Sequence, residues 1–492
     1  MALTTHGRFL KHLAEAKSYW RYTCMKNRTI IILASLALAF SCLFHGHTAA
    51  AESNRISAPY LVGQWLPSDQ LFIDQWISEQ TEGAESAKKE PLLPVIQEFK
   101  DLIEEDPQLY MLFNQMFEQL PHEKSFRKDP TGKPQVKNYR QMLRVMNRIL
   151  TTAPEFNKTG LVGFPINAIL DWPMGTPAGT TAFLNEKVNR QLKKILNQWA
   201  VFLSSADSRY VLNDHPEKGW FGRDAREAMP SFVEDFTCDP AAPYYGFSSW
   251  DDYFIREFRE GRRPLASPDD DSVIANACES APYRLAKHVK LADRFWIKAQ
   301  PYSLQHMMAM DPLAEQFAGG TVYQAFLSAL SYHRWHSPVS GRIVKTRIVD
   351  GTYYAEALSE GFDPAGPNNS QGYITQVAAR ALIFIEADNP DIGLICVMFV
   401  GMAEVSSNEI TVYEGQRVKK GDQLGMFHFG GSTHALIFRP EVKLEFDFHG
   451  QTPGLHSDNI PLRSRIATVV KHRFSQNPKR HNYFGLHLEK NQ

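Results

Sequence analysis

Phe429-Gly430-Gly431-Ser432-Thr433, near the C-terminal end of the 492-residue chain, is the stretch from which the rest is read. Gly431 has no Cβ, so its carbonyl can be bent toward the Ser432 hydroxyl at little steric cost. Attack by that hydroxyl would move the Gly431 acyl group from nitrogen to oxygen. The ester can then eliminate, leaving a carboxylate on Gly431 and a dehydroalanine at position 432, which water converts to a keto acyl group with loss of ammonia. The same five residues also fit an ordinary turn between strands, because Gly, Ser and Thr are all turn formers. The segments upstream bear on which reading holds.

Tyr332-His333-Arg334-Trp335-His336-Ser337-Pro338, Val400-Gly401-Met402-Ala403 and Val418-Lys419-Lys420-Gly421-Asp422-Gln423-Leu424-Gly425 precede it in that order, and Arg263-Pro264-Leu265 precedes all three. This ordered set, spread over residues 247–438, resembles the phosphatidylserine decarboxylase family. The resemblance implies a carboxy-lyase that cuts itself between Gly431 and Ser432. Its cofactor would be the pyruvoyl group formed from Ser432, with no metal, and its two cleaved chains would stay associated. The implied substrate is the serine headgroup of phosphatidylserine, converted to phosphatidylethanolamine. Such a ketone takes the electrons that departing carbon dioxide leaves behind, so the protein has to orient the substrate and deliver a proton.

Imidazole titrates in the range such proton transfers need, which makes His333 and His336 the candidates. On a strand their odd separation would put them on opposite faces. The family pattern implies His336 as the processing base and His333 as a proton donor in turnover; each also reads as a structural histidine at a sheet edge. A His-x-x-His metal site is a further possibility, but no nearby Cys or acidic ligand pattern supports it. The family orients its processing histidine with an aspartate. Here the matching stretch is Asn276-Ala277-Cys278-Glu279-Ser280, so Glu279 stands in its place, with a solvated or structural glutamate as the other reading. Ala378-Ala379-Arg380 departs from the family as well and leaves the substrate contacts there open.

The expected fold class is α+β, a helical N-terminal domain followed by a mainly antiparallel β catalytic domain. Residues 1–51 read as a targeting segment, 52–90 as a linker with a short helix near residues 69–78, 91–225 as the helical domain and 245–492 as the decarboxylase domain. Helical spacing runs through Ile96, Phe99, Leu102, Ile103, Leu109, Leu112, Phe113 and Met116, broken at Asp106-Pro107 where a second helix can start. Further helices are expected over residues 139–150 and 183–203, and a capped one over 250–259. Residues 160–177, rich in Gly and Pro, read as a loop whose Phe164 and Trp172 would either close a pocket or serve structure. Residues 361–372 read as a turn-rich insertion. Residues 91–221 resemble the extension of a subgroup that includes aromatic amino-acid decarboxylases, so a free aromatic amino acid such as tryptophan is the alternative substrate.

With 53 Lys and Arg against 54 Asp and Glu, the net charge of −1 gives no electrostatic case for nucleic acid as a partner. Met25-Lys26-Asn27-Arg28, the apolar run at residues 30–44 and Thr48-Ala49-Ala50-Ala51 read as an export signal, placing the mature chain in a periplasm or outside the cell. An uncleaved anchor with membrane contact is the alternative, and residues before Met25 suit a signal poorly unless its leading region is long. Residues 412–426 resemble the hairpins of lipoyl and biotinyl carrier domains, but without a suitably flanked lysine at the turn. That carrier, and an unprocessed pseudoenzyme, are the rival readings.

Overall fold

The computed structural model describes residues 70–120, 136–158, 164–294, 300–328, 330–357, 370–405, 407–429 and 432–470. The expected targeting segment, residues 52–69 of the linker, residues 160–163, residues 361–369 of the insertion, and Gly430 and Gly431 lie outside them.

Among the described residues seven helices come first: α1 (Gln70–Ser86), α2 (Pro94–Glu105), α3 (Pro107–Glu118), α4 (Tyr139–Ile149), α5 (Pro165–Met174), α6 (Pro177–Phe183) and α7 (Glu186–Leu203). The break between α2 and α3 falls at Asp106-Pro107. The Asp106 carboxylate accepts the N–H groups of Gln108 and Leu109, while Pro107 occupies a first-turn position whose N–H has no partner to lose. Ile96, Phe99, Ile103, Leu109, Phe113, Met116, Leu143, Leu192 and Trp199 share one buried cluster. Three boundaries differ from expectation. α1 continues to Ser86, with Ile77 and Ala84 buried seven residues apart on one face. The run over 183–203 is two helices, because Asn185 caps α7 with its side chain. The loop expected over 160–177 contains α5, where Pro165 sits in the first turn and nearly every side chain is buried.

Beyond α7, short helices at Arg223–Ala228 and Phe232–Asp235 lead to α8 (Trp250–Phe254), capped by Ser249 and shorter than the segment expected over 250–259. It stops because the next residues are claimed elsewhere. Thr237 donates to the Glu257 carbonyl, Phe258 bridges Phe236, and the buried Arg256 donates to the carbonyls of Leu330 and Ser331. Arg256 thereby fixes the entry to Tyr332-His333.

The strands are β1 (Val273–Ala275), β2 (Ala281–Val289), β3 (Gly320–Leu327), β4 (Arg334–His336), β5 (Gly341–Val349), β6 (Arg380–Ala387), β7 (Leu394–Gly401), β8 (Ser407–Ile410), β9 (Arg417–Val418), β10 (Gln423–His428), β11 (Ser432–Phe438), β12 (Leu444–Phe446) and β13 (Arg465–Val469). Among the described residues they form a seven-stranded sheet in the order β2-β3-β11-β7-β6-β5-β9 and two three-stranded sheets, β4-β10-β8 and β1-β13-β12. The architecture is α+β with antiparallel strands, as the sequence implied. Every residue of β7 is buried, which explains why it reads as a continuous apolar run. β11 lies between β3 and β7, with Ser432 opposite Leu327 and Gly401.

The segment between β9 and β10 bears on the carrier reading. Lys420 is buried and its ammonium donates to the carbonyls of Ser267, Asp270 and Val273 at 2.7, 2.8 and 3.1 Å. A lysine held by three carbonyls is not presented for attachment of a prosthetic arm. Because hydrogen bonds to a charged group are worth about 1.5–3 kcal/mol each and the orphaned carbonyls add their own cost, Lys420→Met should lower unfolding free energy by about 3 kcal/mol or more in a denaturant titration.

Candidate active site

Ser432 opens β11, and two residues before Gly431 the backbone at Phe429 takes φ of 58°, a left-handed conformation that a bulky side chain rarely adopts. Such a residue costs of order 1–3 kcal/mol unless its surroundings impose it. Here four rings do. Trp199 meets the Phe429 ring edge-on with centroids 4.6 Å apart, Trp250 at 4.7 Å, Phe254 at 6.1 Å and Phe164 at 6.4 Å. At about 0.5–1.5 kcal/mol per aromatic pair beyond area burial, these contacts together are enough to hold the strained backbone. Trp199 belongs to α7 and Phe164 precedes α5, so the helical region builds part of this site.

His333 sits in the same aromatic cluster. Its ring is fully buried and stacks on Phe254 with centroids 4.0 Å apart, while its carbonyl accepts the Phe427 N–H. His336 points elsewhere, as the odd spacing required. Its Nδ1 lies 2.8 Å from the Gly421 carbonyl, which can only accept, so the proton is assigned to Nδ1 and Nε2 accepts the Tyr332 hydroxyl at 3.0 Å. Burial, with the Arg463 guanidinium close by, pushes the His336 pKa down to about 3 against the opposing effect of the Gly421 bond.

Glu279 requires a correction. Its carboxylate takes the Arg263 guanidinium through both oxygens, at 2.7 and 3.0 Å, and the Leu462 N–H at 2.7 Å. No hydrogen bond joins it to His336 among the described residues. The partner expected for the imidazole is therefore a backbone carbonyl, and the glutamate instead ties Arg263-Pro264-Leu265 to the segment before β13.

Thr433 donates to the Ala325 carbonyl and accepts from Gln324, which fixes the strand's start in register. Three residues that the sequence reading did not single out stand nearby. His434, two residues after Ser432 on β11, is fully buried between Tyr323 and Phe399, and burial pushes its pKa down to about 3. Its i+2 position was the available signal. Glu404 lies in a short turn after β7, one residue beyond the quoted Val400-Gly401-Met402-Ala403. One of its oxygens accepts the N–H groups of Ile166 and Asn167, at 2.7 and 2.9 Å, at the start of α5. Burial pushes its carboxyl up to about 7, against those two bonds. Ala403 before it has a φ of 52°. His428, at the end of β10, lies between Asp251 of α8 at 3.0 Å and Glu409 of β8 at 2.7 Å.

Two family models described as phosphatidylserine decarboxylase match residues 93–229 and 250–452. An L-tryptophan decarboxylase of Psilocybe cubensis is 38% identical over 414 residues, covering 79% of this chain and 91% of the relative. Decarboxylase iboD of Amanita muscaria is 46% identical over 328 residues, covering 63% of this chain and 92% of the relative. The phosphatidylserine decarboxylase proenzyme 3 of Schizosaccharomyces pombe is 30% identical over 202 residues, covering 41% of this chain and 20% of that protein. A decarboxylase, and so a carboxy-lyase, is what the fold and these relatives define. The chain belongs to the phosphatidylserine decarboxylase family.

The His428 clamp gives a pH prediction. Its two hydrogen-bonded carboxylates outweigh burial and push the imidazole pKa up to about 9 from the ordinary 6.5. The folded-state value is the raised one, so the stabilisation is complete below about pH 6.5 and is lost as pH rises through about 9. The gap between the unfolding midpoints of wild type and His428→Gln should shrink between pH 6.5 and pH 10, as measured by thermal melts across that range.

Proposed function

We propose that this chain is a self-processing, pyruvoyl-dependent decarboxylase of a free aromatic amino acid, with tryptophan the first substrate to try. The observation that carries the substrate class is the degree of similarity across this chain. The tryptophan decarboxylase is 38% identical over 79% of the chain, whereas the phosphatidylserine enzymes of Schizosaccharomyces pombe and Chlamydia trachomatis are 30% identical over 41% and 27% identical over 60% of it. Those findings favour the amino-acid alternative over the phosphatidylserine reading that the family resemblance put first. The helical region supports the same choice, because it contributes Phe164 and Trp199 to the cage around Phe429.

The residues present fit a pyruvoyl group. Ser432 opens a central strand and follows two glycines in sequence, and the residue before those glycines, Phe429, has a left-handed backbone. The group supplies an electron sink for loss of carbon dioxide from an amine-bearing carboxylate. For the proton at Ser432 we favour His333, whose ring lies in the Phe429 cluster, over His336, whose two nitrogens are engaged by Gly421 and Tyr332. His336 and Glu279 then serve as positioning residues for the segments they tie. Export through residues 1–51 remains part of the proposal, with a mature chain that begins near Ala51.

Denaturing electrophoresis checks the processing step. Wild type should give a C-terminal fragment from Ser432 to Gln492 blocked at its amino end, and Ser432→Ala should stay full length. Loss of a general base typically costs about 10²- to 10⁴-fold, so His333→Ala should accumulate uncut chain while His336→Gln is cut to completion. Release of carbon dioxide from tryptophan, and none from phosphatidylserine vesicles, is the expected substrate result. The opposite pattern would restore the lipid.

A further inference from the structure

Three buried polar atoms without a hydrogen-bond partner lie on segments that meet at one place: Glu404 Oε2, Asn167 Oδ1 and the Tyr354 hydroxyl. All three residues are at least 97% buried. The segments are tied to one another. Glu404 Oε1 accepts the backbone N–H of Asn167 itself, and the Ala403 N–H donates to the Tyr353 carbonyl at 3.0 Å. They are also tied to the reaction centre. Gly401, three residues before Glu404, is the register partner of Ser432, and Phe164, two residues before Ile166, packs on Phe429.

A carboxylate offers about four acceptor sites, and leaving a buried charged group short of donors costs more than leaving a neutral one so. Among the described residues no Lys or Arg pairs with Glu404, and the start of α5 is already served by Oε1. An acceptor left over in this way is explained when something outside the chain supplies the donor. In its ionised form Glu404 would repel a phosphate-bearing headgroup and draw a side chain with an N–H or O–H.

We infer that Glu404, with Asn167 and Tyr354, forms the pocket for the substrate side chain and selects amino acids that carry a ring hydrogen-bond donor, such as an indole N–H or a phenol O–H. This rests on the free-amino-acid reading above. Tightness of the pocket, rather than rate of processing, is what these residues set.

The test uses the processed full-length protein with tryptophan and with β-(3-benzothienyl)alanine, in which sulfur replaces the indole N–H at nearly the same shape. A site built to bond a donor rejects the analogue lacking it steeply, so wild type should prefer tryptophan by about 10²-fold or more in kcat/KM. In Glu404→Gln an amide oxygen can still cap α5 while its NH₂ faces the pocket. That variant should lose the preference to below about tenfold, mainly through a KM that rises more for tryptophan than for the sulfur analogue. Tyr354→Phe, which removes only a hydroxyl, should reduce the preference in the same direction and decides the matter if Glu404→Gln fails to fold. Equal kcat/KM for the two substrates in wild type, or an unchanged preference in the variants, would overturn the pocket while leaving amino-acid decarboxylation intact. Carbon dioxide released from phosphatidylserine alone would overturn both.

Discussion

Four aromatic rings close on Phe429 and hold its backbone in a conformation that an isolated chain would abandon. Trp199 and Phe164 come from the helical region, Trp250 and Phe254 from the helix that leads into the sheets. The helices therefore pack against the end of β10 as well as forming a core of their own. If Ser432 is the reacting residue, side chains supplied by α7 and the start of α5 stand close enough in the chain's packing to bear on what can approach it.

Several of the motif residues act on one another rather than on a ligand. Arg256 holds the entry to Tyr332-His333, Lys420 fastens the turn before β10 to the segment leading into β1, Glu279 anchors Arg263, and His336 bridges Gly421 and Tyr332. Each ties segments far apart in sequence. Their effect is to bring His333, the β10 end and the β11 start to one point with little slack. Precision of that kind is what a reaction between a hydroxyl and the adjacent carbonyl demands, because small misplacements cost large factors in rate.

The fold class was legible because its signals are local. Periodicity in α2 and α3, the Asp106-Pro107 break and the all-apolar β7 each declare themselves within a dozen residues. The helix boundaries that were missed had tertiary causes: α8 stops at Phe254 because Arg256 to Phe258 are drawn to Leu330, Ser331 and Phe236, and α5 forms where Gly and Pro suggested a loop because Glu404, some 240 residues away, caps it. At the site, the different directions taken by His333 and His336 were readable from their odd spacing. The expected Glu279 to His336 bond was not, since a motif carries residue types and order but not which carboxylate faces which ring. Glu404 escaped notice for a related reason. One carboxylate among 54 acidic residues has no mark in sequence, and only burial without a cation sets it apart.

β11 pairs along its whole length with β3 on one side and β7 on the other, and β13 further on pairs with β1. A break in front of Ser432 would therefore sever the covalent chain at the centre of the sheet while leaving its ladders intact. The two pieces would be interwoven, held by the same hydrogen bonds as before. Unfolding would change the arithmetic, because one molecule would come apart as two, and reassembly would be second order in concentration. A catalyst made this way would be folded once as a single chain and afterwards protected by its unfolding barrier rather than by a reversible equilibrium.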